Sequence, residues 1–287
     1  MIFIMTTDLK ATRTDGWGPC EFAFTLVELL VVLAIMAILA ALLAVSIGGA
    51  KKHAQKVSCE GNLRQIGIGI SEFVSDFNAY PLGINRRGFS QGLYPEYGLD
   101  WYDALNRNCF RLPPLQEQQN GVIVLPTSGV WHCPSSQRPA AWDNDFRWKG
   151  AIWVEYGYNE YGLGGHDDAN LGLGRVKGST NRLDYRPTPD KDVVSPSEMI
   201  AAGDGIIGWG TNYLDGSDDV GVEARAGGPQ RFNDSQRVMS RHNGCVNVVF
   251  CDAHVESPKV AVLFSLSNSA SLARWNKDHQ PHPELLY

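Results

Sequence analysis

The stretch from Ala23 to Lys52, AFTLVELLVVLAIMAILAALLAVSIGGAKK, contains the longest apolar run of this chain. From Leu29 to Ile47 it runs for 19 residues in which Ser46 is the only polar side chain. At about 1.5 Å per residue, a helix of that length crosses most of the roughly 30 Å hydrocarbon core of a bilayer. The stretch therefore predicts a membrane-spanning helix. Two features need explanation: the carboxylate of Glu28 at the edge of the apolar run, and the polar segment before it.

Three interpretations of this N-terminus compete. A secretory signal peptide would have a basic start and a short apolar core, but residues 1–23 carry two basic and three acidic side chains. Its cleavage site would be the small-residue stretch LLAVS, Leu42 to Ser46. A plain membrane anchor is the second interpretation, and it leaves the polar leader without a role.

The third interpretation rests on the string AFTLVELLVVLAIMAILAALL, which begins at Ala23. It resembles the signature of type IV prepilins and type II secretion pseudopilins. The resemblance implies cleavage between Ala23 and Phe24 by a prepilin peptidase, and N-methylation of Phe24. Glu28 then becomes the fifth residue of the mature chain. Glycine usually precedes the cut in that family, and this chain has Ala23 there.

Glu28 fits this third interpretation physically. A carboxylate next to hydrocarbon is costly and is retained when it has a partner. The free amine created at Phe24 of a neighbouring subunit is such a partner, so Glu28 is a candidate assembly contact. An internal pair with the chain's own Phe24 amine, or simple extension of Glu28 toward the interface, are the alternatives.

The basic residues on either side of the apolar run favour a different membrane orientation from the one the resemblance implies. Lys51, Lys52 and Lys56 follow the apolar run and outnumber the basic residues before it. By the positive-inside rule, this would place the C-terminal part in the cytoplasm. The resemblance instead implies a single-pass protein of the inner membrane with its C-terminal domain in the periplasm.

An amphipathic pattern follows the apolar run. Its apolar positions recur at spacings of four and three, which places them on one helical face: Cys59, Leu63, Ile66, Ile70, Phe73 and Phe77. Pro81 is expected to end a helix that runs from Phe24 to Asn78. The predicted organisation is a leader (1–23), a transmembrane helix (24–48), an amphipathic helix (49–80) and a globular domain (81–287).

Glycine- and proline-rich punctuation after residue 80 predicts short strands and many turns, hence a β-rich domain. Residues 246–251 alternate as a strand, Asp252-Ala253 forms a turn, and a second strand begins at His254. This region resembles a C-terminal signature of pseudopilin-like proteins, in which a histidine precedes Asp-Gly by ten positions. His242 and Asp252 have that spacing, with Ala253 in place of the glycine. The predicted class is α+β: a long N-terminal helix, its first half transmembrane, packed against an antiparallel β-rich domain.

Candidate catalytic and zinc sites are weak. Ser90 lies in GFSQG, but a nucleophile elbow needs a strand before the serine and a helix after it, and Asn85-Arg86-Arg87 and Pro95 flank this one. The pairs His242/Cys245 and Cys251/His254 have zinc-knuckle spacing. A strand between them would separate the pairs by about 20 Å, too far for one tetrahedral zinc. The sequence therefore predicts no enzyme and no zinc site.

An acidic loop is the remaining metal candidate. Residues 214–223 carry oxygen ligands of the kind calcium prefers, namely Asp215, Asp218, Asp219 and Glu223. The spacing is not that of an EF-hand, so a solvated acidic turn is the preferred interpretation and no cofactor is expected. The net charge of −6 argues against nucleic acid as a partner.

Five cysteines remain after the leader with Cys20 is removed. Disulfides persist in an oxidising exported compartment. Cys59 lies on the helix face that meets the domain and Cys133 lies beside Pro134, which makes them the candidate disulfide. Two buried free thiols are the alternative, and the odd count leaves at least one thiol outside any intrachain bond.

These features together predict a structural, pseudopilin-like subunit of a type II secretion or type IV pilus-like assembly. Its expected partners are a prepilin peptidase, copies of itself, other pseudopilins and the inner membrane. The alternative is an exported ligand-binding or enzymatic domain that uses the signal only for targeting and anchoring.

Overall fold

One long helix and an antiparallel sheet provide the regular framework of the chain. The computed structural model describes residues 25–83, 100–112, 129–135, 155–160, 162–163, 171–174, 176–177, 185–204, 241–265 and 267–285. The leader with its cleavage site at Ala23 and Phe24, Ser90 and the acidic loop 214–223 lie outside the described residues.

The helices among these residues are α1 (Leu26–Phe77), α2 (Trp101–Leu105), α3 (Val260–Leu263) and α4 (Ser269–Ala273). A π-helical turn, Asn106–Phe110, continues α2, and 3-10 turns lie at Asp190–Asp192 and Pro283–Leu285. The strands are β1 (Tyr156–Tyr158), β2 (Val176–Lys177), β3 (Tyr185–Arg186), β4 (Ile200–Asp204), β5 (Val248–Phe250) and β6 (Val255–Glu256).

The chain divides into two compact units, one up to Gly49 and one from Ala50 onward. In the first unit, the described part of α1 exposes large aliphatic side chains on all sides from Leu26 to Ile47. An 18-residue window of this helix has a mean hydropathy of 3.1. By length and composition, α1 is the one helix among the described residues that is suited to crossing a membrane.

In the second unit, the predicted apolar stripe of α1 faces the core. Its first five members, Cys59, Leu63, Ile66, Ile70 and Phe73, have no exposed surface. The sixth, Phe77, stacks on Phe73 with a ring-centroid distance of 4.4 Å and packs at the border of the core. The 3.6-residue period of the sequence thus gives the face that the helix presents to the domain.

α1 ends one residue before the predicted end. Asn78 adopts a left-handed conformation (φ 53°), and its N–H donates to the carbonyl oxygen of Val74 at 2.8 Å. Asparagine tolerates this conformation better than most residues, and the bond satisfies one of the last helical carbonyls. The helix is therefore terminated by Asn78 itself, and Pro81 follows outside it.

The main sheet has the order β1-β4-β5-β6, with every neighbouring pair antiparallel. β5 is buried on both faces. Val249 packs in the same hydrophobic cluster as the α1 stripe, whereas Val248 and Phe250 pack in a second cluster with side chains of α3 and α4. The predicted α+β class, a long helix packed against an antiparallel sheet, is confirmed.

The turn between β5 and β6 lies where the sequence predicts it. Ala253 has a φ of 68°, and its N–H donates to the carbonyl oxygen of Phe250 at 2.9 Å. Left-handed backbone costs alanine about 1 kcal/mol relative to glycine. The conformation therefore explains why glycine would be the less strained residue at this position.

Gly67 permits the close approach of α1 to this turn. A Cβ added at Gly67 would lie 2.5 Å from Val249 Cγ2 and 3.0 Å from Ala253 Cα. We expect Gly67→Ala to lower the free energy of unfolding by about 1–3 kcal/mol, because the helix must move away from the sheet. Chemical denaturation of the full-length chain in detergent micelles measures the change.

Gly61→Ala is the matched control in the same helix. A Cβ at Gly61 has no atom within 4 Å, so this substitution should raise helix stability by up to about 1 kcal/mol. Stabilisation by both substitutions would show that α1 does not approach the sheet as closely as described.

Candidate functional site

The N-terminus of α1 is closed by a reciprocal cap. The Thr25 backbone N–H and hydroxyl donate to Glu28 Oε2 at 2.9 Å and 2.8 Å. In return, the Glu28 N–H donates to Thr25 Oγ1 at 3.2 Å. This is a capping box, which satisfies helix N–H groups that have no intrahelical partner. The Thr-x-x-Glu spacing of Thr25 and Glu28 is the sequence signal for this cap.

A second structural site fastens a short loop to α1. Gln55, Cys59 and Asn62 lie on one face of the helix at spacings of four and three. Gln55 Nε2 donates to the carbonyl oxygen of Pro134 at 2.9 Å, and Asn62 Nδ2 donates to that of His132 at 2.7 Å. Between these hydrogen bonds, Cys59 and Cys133 form a disulfide with a Cα–Cα distance of 5.2 Å. Three consecutive loop residues are thus held by three helix positions.

The carboxylate of Glu155 supports the same loop from the sheet side. Glu155 immediately precedes β1 and is almost fully buried. Its Oε2 accepts the backbone N–H of Cys133 and lies 2.9 Å from His132 Nδ1. The carboxylate therefore orients the cysteine backbone so that its side chain points toward α1.

His242, the first residue of the C-terminal signature, lies beside the disulfide. Its Nε2 is 3.9 Å from Cys133 Sγ and 3.3 Å from Asp204 Oδ2, and both His242 and Asp204 are buried. Asp204 Oδ2 also accepts the backbone N–H of Asn247 at 2.7 Å. We call Cys59, Cys133, Asp204 and His242 the buried cluster. It brings together residues from α1, a loop, the end of β4 and the segment before β5.

Asp252, the second residue of the signature, lies outside the buried cluster. It occupies the β5–β6 turn, where its Oδ1 accepts the backbone N–H of His254 at 3.1 Å and contacts His254 Nδ1 at 2.5 Å. The ten-residue interval between His242 and Asp252 therefore spans β5, with one end in the core and the other at an exposed turn.

The zinc knuckles weighed in the sequence do not form a single site. Cys245 and His254 lie at opposite ends of the β5 segment, and the groups that could hold a metal among the described residues do not include them. His242 instead faces Cys59 and Cys133. This partnership was not predicted, because Cys133 and His242 are 109 positions apart.

The remaining described cysteines are free thiols, namely Cys109, Cys245 and Cys251. Burial, followed by the charges of Glu72 and Asp76, raises the pKa of the Cys109 thiol to about 12. Burial likewise raises the pKa of Cys251. At neutral pH both therefore lack the thiolate that a cysteine nucleophile or metal ligand requires.

Comparison with protein-family models matches residues 20–44 to the Prokaryotic N-terminal methylation motif. This segment includes the predicted cut, Thr25 and Glu28. The chain carries a prepilin-type signal and is pilin/pseudopilin-like. Comparisons with curated proteins and with solved structures give no match.

The motif indicates how this pilin-like chain is processed and anchored. A prepilin-type signal implies processing by a prepilin peptidase. Together with the apolar first part of α1, it indicates a membrane-anchored chain whose C-terminal domain is exported. The match ends at residue 44, so the loop attachment and the buried cluster are features of the domain that the motif does not describe.

The disulfide should be a major source of stability in the domain. Its cysteines are 74 positions apart, and a loop of that length predicts about 4 kcal/mol from restriction of the unfolded chain. We expect Cys133→Ser to remove most of this amount in denaturant unfolding of the oxidised full-length chain.

Cys245→Ser is the control, because Cys245 is a free, half-buried thiol. It should change the free energy of unfolding by less than about 1 kcal/mol. Peptide mapping without reductant should recover the peptides of Cys59 and Cys133 joined. Recovery of Cys59 and Cys133 as separate alkylated thiols would show that the disulfide does not form.

Proposed function

We propose that the chain is a structural pseudopilin-like subunit of a type II secretion or type IV pilus-like assembly. A prepilin peptidase cuts before Phe24 and methylates the new terminus, and the subunit then associates with copies of itself or with other pseudopilins. The single observation that carries the proposal is the match to the methylation motif across the predicted cut and Glu28.

The membrane placement follows from the same observation. We place the first part of α1 across the inner membrane as the single span, with the domain in the periplasm. Lys51 and Lys52 oppose this orientation by the positive-inside rule. We give more weight to the signal, because the prepilin-type motif matches residues 20–44 and the resemblance implies that the bulk of such a chain lies outside the cytoplasm.

The role we propose for the domain is structural and not enzymatic. Two arrangements support it. The buried cluster lies within the core and has little exposed surface for a substrate. The helix face that carries Gln55, Cys59 and Asn62 holds a loop in place, which is a scaffolding use of polar side chains.

Processing is the direct test of the proposed function. In cells that express a prepilin peptidase, intact-mass spectrometry should find a mature chain that begins at N-methylated Phe24. In cells that lack the peptidase, the leader 1–23 should remain. A mature chain that begins after Ser46 would identify the N-terminus as a secretory signal peptide instead.

Assembly is tested through Glu28. An unpaired carboxylate between packed helices is costly, and loss of one partner from a shielded ion pair costs about 3–5 kcal/mol. We expect Glu28→Ala to lower the yield of in-membrane disulfide crosslinking between subunits carrying Leu30→Cys by at least about tenfold. Cleavage at Phe24 should continue.

The capping box supplies a matched control. Thr25→Ala removes the hydroxyl that caps α1 and retains the Glu28 carboxylate, so it should leave crosslinking largely intact if the charge is the assembly contact. Equal losses in Thr25→Ala and Glu28→Ala would assign Glu28 to the cap alone. Unchanged crosslinking in Glu28→Ala would favour an anchored exported domain that does not assemble.

A further inference from the structure

The lysines that follow the apolar run of α1 form a charged surface at the start of the second unit. We call Lys51, Lys52 and Lys56 the lysine patch. All three are helical, since they lie within α1 (Leu26–Phe77). The chain has no acidic residue from Leu29 to Cys59. The lysine patch therefore carries a positive charge that its own stretch of sequence does not balance.

Most of this charge also lacks a carboxylate partner in the part of the chain that the structure describes. Lys51 and Lys52 are exposed, and neither takes part in an ion pair with another described residue. Lys56 is half-buried, and its Nζ lies 3.5 Å from Glu60 Oε1, one helical turn further along α1. Within the described residues, the charge of the patch is thus compensated only at Lys56.

The position of the patch along α1 matches the headgroup layer of a bilayer. Lys51 and Lys52 follow Ile47, the end of the apolar run, by four and five positions, which is about 6–8 Å along a helix. The polar layer on each side of the hydrocarbon core is about 5–8 Å thick. Helical side chains tilt toward the helix N-terminus, which here is the direction of the apolar run. The lysine stems therefore extend back toward the headgroups.

We propose that the lysine patch binds the phosphate groups of anionic phospholipids. The ammonium groups donate charge-assisted hydrogen bonds to phosphate oxygens, and each lysine near an anionic surface strengthens binding by roughly fivefold. The proposal rests on the membrane placement of α1 proposed above and does not require assembly.

This partner gives the lysines a role that is independent of the side of the membrane on which they lie. Lys51 and Lys52 oppose the proposed periplasmic placement by the positive-inside rule. Anionic headgroups offset their charge in either leaflet, because the attraction depends on the neighbouring phosphates. The patch then fixes the depth at which α1 leaves the bilayer.

The test is the lipid selectivity of the full-length chain in phosphatidylcholine vesicles. Electron paramagnetic resonance separates spin-labelled lipid held at the protein from lipid in the bulk bilayer. We expect phosphatidylglycerol to associate with the wild-type chain at least about twofold more strongly than phosphatidylcholine. This preference should decrease in 1 M salt, where the Debye length is about 3 Å. Both leaflets have the same composition, so the result does not depend on the orientation of the chain.

Variants assign the preference to the patch. Lys51→Gln combined with Lys52→Gln should abolish most of the preference for phosphatidylglycerol. Lys51→Arg combined with Lys52→Arg should retain it, because arginine keeps the charge. The matched control is Lys191→Gln combined with Lys259→Gln. These two exposed lysines of the second unit remove the same charge far from the apolar run in sequence, so the preference should not change.

The outcomes separate this proposal from the membrane placement on which it rests. Equal selectivity in the wild type and in the Lys51→Gln/Lys52→Gln variant, in a chain that resists alkaline extraction, would overturn lipid binding alone. Release of the wild-type chain by alkaline extraction would overturn the membrane placement and lipid binding together. Unchanged selectivity with loss of the crosslink through Leu30→Cys in the same variant would assign the patch to a neighbouring subunit instead.

Discussion

Burial of the apolar stripe of α1 holds this helix against the rest of the domain. Cys59, Leu63, Ile66, Ile70 and Phe73 lose all exposed surface, and side chains of the sheet and of α2 pack in the same core cluster. β4 and β5 contribute small or branched residues such as Ala202 and Val249. Gly67 lies within the stripe's span, where any side chain would meet the β5–β6 turn. The helix therefore determines how closely the sheet can approach.

Polar attachment uses the same helix face. Cys59 belongs to the apolar stripe and also to the row Gln55, Cys59 and Asn62 that holds the loop at 132–134. Because both sets share Cys59, a change in helix rotation would disturb core packing and loop attachment together. The disulfide therefore lies at the end of the apolar stripe of α1, beside the hydrogen bonds from Gln55 and Asn62 to the loop.

Local patterns in the sequence predict the helix, the strand β5 and its turn. They do not predict contacts between residues that are far apart in the sequence. The stripe of α1, the strand at β5 and the turn at Asp252-Ala253 all follow from spacing within a few residues. Asp204 and Glu155 could not be found that way, since neither lies in a periodic pattern that indicates a buried carboxylate. Their roles depend on Asn247, 43 positions from Asp204, and Cys133, 22 positions from Glu155. The sequence predicts the pairing of Cys59 with Cys133, because it indicates both the helix face of Cys59 and the proline-flanked loop of Cys133. It contains no signal that His242 lies beside Cys133.

Glu28 shows how a local contact changes a functional argument. In the sequence, no basic side chain lies near Glu28 in its own helix. The cost of an unpaired carboxylate next to lipid is the reason to expect a partner on another subunit. The structure gives Glu28 two donors from Thr25, so its hydrogen-bonding capacity is partly met within the chain. These donors are neutral and leave the negative charge in place. For the assembly contact proposed above, what remains for a neighbouring subunit is charge compensation, which a free amine at the proposed new terminus, Phe24, would provide without disturbing the cap.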